Sequence, residues 1–474
     1  MEGHQPTTTL HGTDGNPQTE SGALLGNVPH LRLLVCSSIA FFIVHKLFIY
    51  PRFVSPLRFL PRAPGGYPIL GHAFTGFTEP IGQEYMRFMQ EVPNEGIILM
   101  RDLFNSAHLL LTSTAALKEV LSKRPYMFEK PWKYREFAIA VVGRGGILAA
   151  EGDAHKIQRR HITPNFTLRH TRQLAPLSWS RSVVDMNVWA TRVTLDIFGT
   201  AGLGRDLKMI SRSRVAIQEA YTTALTPTWR KSFLYVAISC RLDWLSGYIP
   251  WTVDGEFSKA TDYLRRFCRE SIAENRQARA ASKTSAPGML AKFIESNKVT
   301  DDELVDQSLT SLVAGHETVA GALGWAIYLL ASHPTIQASL RAEILSCASP
   351  EEWATESPDI AACLEHILIL NAVCNETVRL YPSISVAPRV ATEDTSILDC
   401  PVPKGTRVMI PTCAINRAPY LWGPTANEFR PERWIDETTG ELNRKGGAES
   451  SYAILSFLHG RHNCMGSGSA KAEL

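Results

Sequence analysis

Charge of one sign is nearly absent from the surplus: 49 Lys and Arg stand against 46 Asp and Glu, leaving a net charge of +3. Such a balance excludes the dense basic footprint of a nucleic-acid binder. Nine cysteines are scattered through the chain and never fall as Cys-x-x-Cys. Their odd number and spacing argue against a disulfide framework or a zinc ribbon and for a reducing compartment. Internal repeats are lacking too. Residues 1–22 contain no Phe, Trp, Tyr, Ile or Val, so they cannot bury enough apolar surface to order themselves. We expect a disordered leader over residues 1–30.

What is present is length and apolar content: 474 residues, 45% of them hydrophobic, enough for a large core. One long apolar run stands out, Leu31 to Tyr50, LRLLVCSSIAFFIVHKLFIY. At roughly 20 residues it matches a bilayer core of about 30 Å, and Lys46 lies near enough to its end to snorkel. We expect a single membrane anchor over 31–50. Lys46, Arg52, Arg58 and Arg62 follow it closely while only Arg32 closely precedes it, which places the body on the cytoplasmic side. The Pro- and Gly-rich stretch 51–72 reads as a hinge. The rest, 73–474, reads as one mainly helical domain. Short strands are expected around Ile97–Leu99, Ala107–Leu111, Ser385–Val390 and Arg407–Thr412, and a loop over Ala278–Gly288.

Three motifs carry chemistry. Cys464 sits in Phe457-Leu458-His459-Gly460-Arg461-His462-Asn463-Cys464-Met465-Gly466, with glycines for tight reversals and a helix start behind it. A loop of that kind favours a thiolate, through backbone N–H donors and the positive end of the helix dipole. Val313-Ala314-Gly315-His316-Glu317-Thr318 lies in a long, nearly all-apolar helix that opens on the capping box Thr300–Glu303. Two explanations stand for its polar pair. Thr318 bonds back to a carbonyl four residues earlier, or the helix is loosened at Ala314-Gly315 for a small ligand, with a hydroxyl–carboxyl proton path. Finally, Glu376 and Arg379 share one face of a helix over Leu364–Leu380. The aromatic loop Phe429–Trp434 is placed to bring Arg433 to Glu376.

In this order and at this spacing, the motifs resemble the cytochrome P450 family, in particular its microsomal-type fungal members, from Pro61 to the last residue. The resemblance implies a mainly α fold with small β-sheets behind one N-terminal transmembrane helix. It makes Cys464 the thiolate ligand of the iron of haem b, with Gly460 and Gly466 the glycines of the haem-binding signature. It assigns Glu151–Arg160 to the family's third long helix, with His155, in a slot more often Trp, and Arg159 facing the haem propionates. Arg389 is a further propionate candidate, as is His462. Glu317 and Thr318 become the proton-delivery pair, and Glu376, Arg379 and Arg433 the structural triad. A substrate pocket is implied along Ile147, Leu148, Leu309, Leu312, Val313, Ala314, Ser385 and Val386.

The activity implied is a haem-dependent monooxygenase of fungal secondary metabolism that inserts one oxygen atom from O2 into a lipophilic small molecule. Electrons come from NADPH through a membrane-bound NADPH–cytochrome P450 reductase, since no flavin or nicotinamide fingerprint occurs in the chain. Lys130, Lys133, Lys156, Arg160 and Arg461 are candidates for the face on which it docks. The chain is expected to be monomeric, in contact with membrane lipid but not with nucleic acid, and held in the endoplasmic reticulum membrane with 73–474 facing the cytoplasm. Two other functions compete: a haem-thiolate rearrangement or dehydration enzyme, and an anchored haem- or lipid-binding protein without turnover.

Two features depart from the family pattern. His462 stands where relatives usually carry Arg, and being shorter and only partly protonated near neutral pH it predicts a weaker or more pH-dependent grip on haem. The chain also stops at Leu474, where relatives continue through the rest of a helix and a terminal β-hairpin, so the catalytic domain is expected to lack its C-terminal end.

Overall fold

The computed structural model describes residues 29–73, 75, 80, 82–163, 185–210, 215–225, 255–282, 288–296, 299–347, 363–364 and 366–474. The expected leader up to residue 28 and positions 283–287 of the expected loop lie outside these. Two units emerge, residues 1–54 and 55–474.

In the first unit, helix α1 covers Pro29–Val44, with Pro29 at a first-turn position where its missing N–H costs nothing. Wider π-type turns continue it over His45–Val54. Pro51 lies inside them, where a residue without an N–H crowds the preceding turn and an ordinary helix would be broken. The apolar helix therefore extends a few residues beyond the expected 31–50, and its large side chains, among them Leu33, Phe41 and Phe42, are exposed.

The second unit starts at Ser55, whose hydroxyl caps the turn Pro56–Phe59. The stretch read as a hinge is fastened here rather than free. Leu57 is buried, the Leu99 N–H donates to Pro61 O (2.7 Å) and the Ala63 N–H to Leu99 O (3.0 Å). Both ring nitrogens of His72 lie 2.9 Å from backbone carbonyls, those of Arg101 and Pro64.

Residue 99 belongs to β1 (Ile97–Asp102), which pairs antiparallel with β2 (Ser106–Leu111). The remaining strands are β3 (Phe128–Glu129), β4 (Ala387–Ala391), β5 (Thr395–Ile397), β6 (Cys400–Val402) and β7 (Arg407–Ile410). The main sheet runs β1-β2-β7-β4-β3, parallel only between β2 and β7, and β5-β6 is a separate hairpin. Leu109, Leu111, Val408 and Ile410 alternate onto one buried face and join a core with Leu117 and Leu121.

The helices that matter for the site are α2 (Gln83–Glu91), α3 (Trp132–Val142), α4 (Gly152–Ile162), α5 (Met186–Leu203), α6 (Val215–Leu225), α7 (Gly255–Ser282), α8 (Met289–Ser296), α9 (Asp301–Ser332), α10 (Pro334–Cys347), α11 (Leu368–Leu380) and α12 (Ser467–Glu473). The axis of the body is α9. Its capping box forms as expected: Glu303 N–H donates to the Thr300 hydroxyl, and the Glu303 carboxylate accepts from Thr300 N–H. Helices α3, α5, α7 and α11 pack around it. On α7, Phe257, Ala260, Leu264, Phe267 and Ile272 are all buried, as their spacing predicts. That helix runs on to Ser282, so the first five residues of the expected loop are helical. Helix α11 starts at Leu368, four residues later than expected, and stops before Pro382.

Cys347, closing α10, and Cys363 form a disulfide with their Cα atoms 6.0 Å apart. The sequence reading found no disulfide, because spacing alone does not report which cysteines meet in space.

Candidate functional site

Cys464 is placed by a frame that begins on α11. The Glu376 and Arg379 side chains have no exposed surface. Arg379 uses all five of its N–H donors: two on the Glu376 carboxylate at 2.8 Å each, two on the carbonyls of Asn416 and Ala426 at 2.7 Å each, and one on Glu428 O at 3.2 Å. Glu376 also accepts from Arg433 Nε (2.9 Å), Trp434 Nε1 (2.9 Å) and Arg430 N–H (3.0 Å). Burial pushes the Glu376 carboxyl up, but its bonds to Arg379 and the charge of Arg433 outweigh burial and hold it below the usual carboxylate range. The frame reaches the cysteine loop through Asn416, whose amide donates to Arg379 O and Ser456 Oγ (3.0 Å each) while its oxygen accepts from Leu455 N–H (2.7 Å). Trp434, Asn416 and Ser456 were missed by sequence reasoning. Of these only Trp434 carried a signal, as part of the aromatic loop that delivers Arg433.

The loop itself is tightly folded. A 3-10 turn covers Gly460–His462. Gly460 has φ +72°, and a Cβ there would overlap the Leu121 carbonyl, so only glycine fits. Cys464 N–H donates to Phe457 O at 2.8 Å, and Gly466 stands at the N-cap of α12. Burial pushes the Cys464 thiol up; the Gly466 backbone N–H and the Arg159 guanidinium pull it back. Arg159, on α4, donates from Nη1 to Asn463 O at 2.8 Å and from Nη2 to the Asn463 side chain. It thereby ties α4 to the cysteine loop next to the sulfur. Burial raises the Cys464 thiol on balance, as it does those of Cys268, Cys374 and Cys413, which it pushes up to about 12, about 12 and about 11.

His155, also on α4, is buried and stacked on His462, with ring centroids 4.3 Å apart and planes 19° apart. Tyr126 meets both rings edge-on. Burial, then Lys130, lowers His155 to about 4, and burial, then His155, lowers His462 to about 3. The expectation of a partly protonated His462 near neutral pH is therefore corrected: in this arrangement both rings are neutral. His155 Nδ1 and His462 Nε2 are buried without a hydrogen-bond partner. Beside them Arg389, on β4, is buried and donates to Pro388 O (2.9 Å). Two orphaned ring nitrogens and a buried guanidinium in the neighbourhood of a loop-held thiol are a donor set that fits a group carrying both acidic side groups and a thiolate-bound iron, such as haem.

On α9, Ala314 and Glu317 are exposed in mid-helix while Leu312, His316 and Val319 are buried. The helix is not loosened at Ala314-Gly315. It is α-helical throughout, and Gly315 serves close packing, since a Cβ there would lie 2.9 Å from the Phe198 ring of α5. Thr318 Oγ1 donates to Ala314 O at 2.7 Å, and partial desolvation by the surrounding protein raises the Glu317 carboxyl although the residue as a whole is exposed. Ile147, Leu148 and Val313 pack with Met465, the neighbour of Cys464, against one core cluster. Leu309 and Leu312 are fully buried in that cluster and are core, not pocket wall. Ser385 and Val386 stand just before β4, half-buried.

The expected docking lysines are largely spoken for. Lys130 Nζ pairs with Glu151 (2.6 Å) and Ala150 O (3.1 Å), and Lys156 pairs with Asp153 (2.7 Å) over the Tyr126 ring. Arg160 and Arg461 are exposed, and the Lys133 side chain lies outside the described residues.

Comparisons with known proteins agree with this site. The family model for Cytochrome P450 matches residues 61–474. The chain is 35% identical over 463 residues to cytochrome P450 monooxygenase sphH of Aspergillus fumigatus, covering 91% of this chain and 83% of that protein. It is 35% identical over 451 residues to cytochrome P450 monooxygenase ptmK of Penicillium ochrochloron, covering 91% and 88%. With cytochrome P450 monooxygenase ALT8 of Alternaria alternata it shares 31% identity over 517 residues, covering 93% and 86%. The thiol at a helix N-terminus, the buried Glu–Arg–Arg frame and these likenesses together mean that the chain belongs to the cytochrome P450 family and is an oxygenase of the monooxygenase type.

Proposed function

We propose that the protein inserts one oxygen atom from O2 into a lipophilic small molecule of fungal secondary metabolism, with haem held through Cys464. The observation that carries this reading is the seating of Cys464: a thiol just before the Gly466 N-cap of α12, its own N–H on Phe457 O and its loop pinned by Arg159 on Asn463. When bound, haem supplies dioxygen activation and the oxidation itself. The chain's residues do the rest. His155, His462 and Arg389 hold the acidic edge of the cofactor. Ile147, Leu148, Val313 and Ala314 present an apolar surface that favours a lipophilic substrate and excludes water. Thr318 takes its hydroxyl proton away from Ala314 O to serve a water on the ligand side, and Glu317, its carboxyl raised by partial desolvation, recharges that path.

Electrons reach the site from NADPH through a membrane-bound flavoprotein reductase, for which Arg160 and Arg461 offer exposed cations. The exposed apolar helix of the first unit supports anchoring in the endoplasmic reticulum membrane with the body in the cytoplasm. The test is reconstitution of the haem-loaded chain in lipid vesicles with an NADPH-dependent flavoprotein reductase, isotopically heavy dioxygen and a lipophilic extract. The reading predicts products carrying one heavy oxygen, formed only with NADPH. Products formed equally well without NADPH would contradict it.

A further inference from the structure

Between α3 and α4 the chain crosses α9 as Gly143-Arg144-Gly145-Gly146-Ile147-Leu148. There, two adjacent residues of α9 grip its main chain. Asp306 Oδ2 accepts from Gly145 N–H (2.7 Å), Gln307 Nε2 donates to Gly145 O (2.5 Å), and Gln307 Oε1 accepts from Ile147 N–H (3.3 Å). The other Asp306 oxygen accepts from Arg265 Nη1 of α7 at 3.0 Å, so one carboxylate ties the loop and α7 to α9. From α4, Gln158 Nε2 adds a second donor to Gly145 O (3.0 Å). The approach is close: a Cβ on Gly143 would overlap the Asp306 carboxylate, and one on Gly146 the Thr310 hydroxyl. Asp306, Gln307 and Thr310 are all buried.

Asp306 and Gln307, adjacent polar side chains buried on α9, need partners and find them in a loop with no regular structure, whereas Thr310 donates back to Asp306 O within the helix. The loop's next two residues, Ile147 and Leu148, are partly buried against the same core cluster that Val313 of α9 and Met465, the residue after Cys464, pack against. We propose that Asp306 and Gln307 are positioning residues that set the Ile147–Leu148 wall of the ligand pocket by holding the main chain of Gly145 and Ile147. Residues eleven and twelve positions before Thr318 thereby govern which ligand shapes fit, without touching the ligand. The pocket part of this inference rests on the haem-thiolate reading; the grip itself does not.

The experiment uses the full haem-loaded chain with Gln307→Leu, Asp306→Ala and the conservative Asp306→Asn, whose amide oxygen still accepts from Gly145 N–H. Hydrogen exchange at Gly145 and Ile147 reports the grip and needs no assumption about iron ligation. We expect it to rise about tenfold or more in Gln307→Leu and Asp306→Ala, and much less in Asp306→Asn. The pocket is read by difference-spectrum titration with two probes, imidazole, too small to reach the wall, and phenylimidazole, whose ring packs against it. Phenylimidazole affinity should fall about tenfold in the first two variants with imidazole affinity nearly unchanged, and Asp306→Asn should stay close to wild type. Unchanged exchange at Gly145 and Ile147 would overturn the grip, and equal weakening of both probes would overturn the positioning role. A wild-type chain without a thiolate-type carbon monoxide spectrum instead strikes the haem reading, and the exchange result stands apart from it.

Discussion

Glu376 and Arg379 meet one turn apart on α11 in a two-pronged pair at 2.8 Å, and neither side chain exposes any surface. Every guanidinium N–H is used and both carboxylate oxygens accept from several donors, so the pair is a joint between α11, the Asn416 turn and the Pro431–Trp434 loop. Removing Glu376 leaves Arg379 buried without its counter-charge, and removing Arg379 leaves the buried Glu376 with Arg433 as its one cation partner among the described residues.

Glu376→Ala and Arg379→Ala are therefore each expected to cost about 3–5 kcal/mol of stability. Both variants should also lose haem, since Asn416 and Ser456 carry the frame to the cysteine loop. Denaturant unfolding and haem-to-protein ratio check this.

Glu376 also sets an acid limit. Its folded-state pKa lies below its unfolded value, so its contribution is fully present above the unfolded carboxylate value of about 4.3 and is lost as pH falls through the folded one. Unfolding midpoints measured from neutral pH downward should stay level until about that value and then drop. Glu376→Gln should start lower and drop less steeply.

Arg159 tests the cysteine loop. Arg159→Leu removes both bonds to Asn463 and a cation near the sulfur. The expected result is a larger share of the neutral-thiol type of carbon monoxide band, with overall stability changed by about 1–3 kcal/mol, as for a lost charged hydrogen bond.

Thr318 shows the back-bonded geometry in the structure, with its hydroxyl on Ala314 O. Loss of such a bond is nearly neutral for the helix, so Thr318→Ala should alter stability by about 0.5 kcal/mol or less. In reductase-coupled assays it should raise peroxide released per NADPH consumed. Unchanged coupling would remove Thr318 from the proton path.

Much of this was legible in the residues. The capping box of α9, the apolar face of α7 and the Cys464 loop follow local rules that a sequence displays directly. Strands β1, β2, β4 and β7 were placed to within a few residues because apolar runs such as Leu109–Leu111 mark them, whereas β3, β5 and β6, each three residues or shorter, were missed. What escaped was whatever depends on distant partners. The tie of Arg159 to Asn463 was not foreseen, because nothing in the chain announces that Asn463 lies beside it. His462 was expected to be partly charged because its neighbours in space, His155, Arg389 and Lys130, are remote in sequence. Leu309 and Leu312 were assigned to a pocket because an all-apolar helix does not say which side faces the core. The Cys347–Cys363 pairing was invisible for the same reason.

The central claim is that Cys464 is the thiolate ligand of a haem iron, and the most direct measurement is the carbon monoxide difference spectrum of the reduced, purified full chain beside Cys464→Ser. The account predicts a thiolate-type band with stoichiometric haem in the wild type and its loss in Cys464→Ser. A wild-type chain that holds haem without that band, or a serine variant that keeps it, would contradict the account.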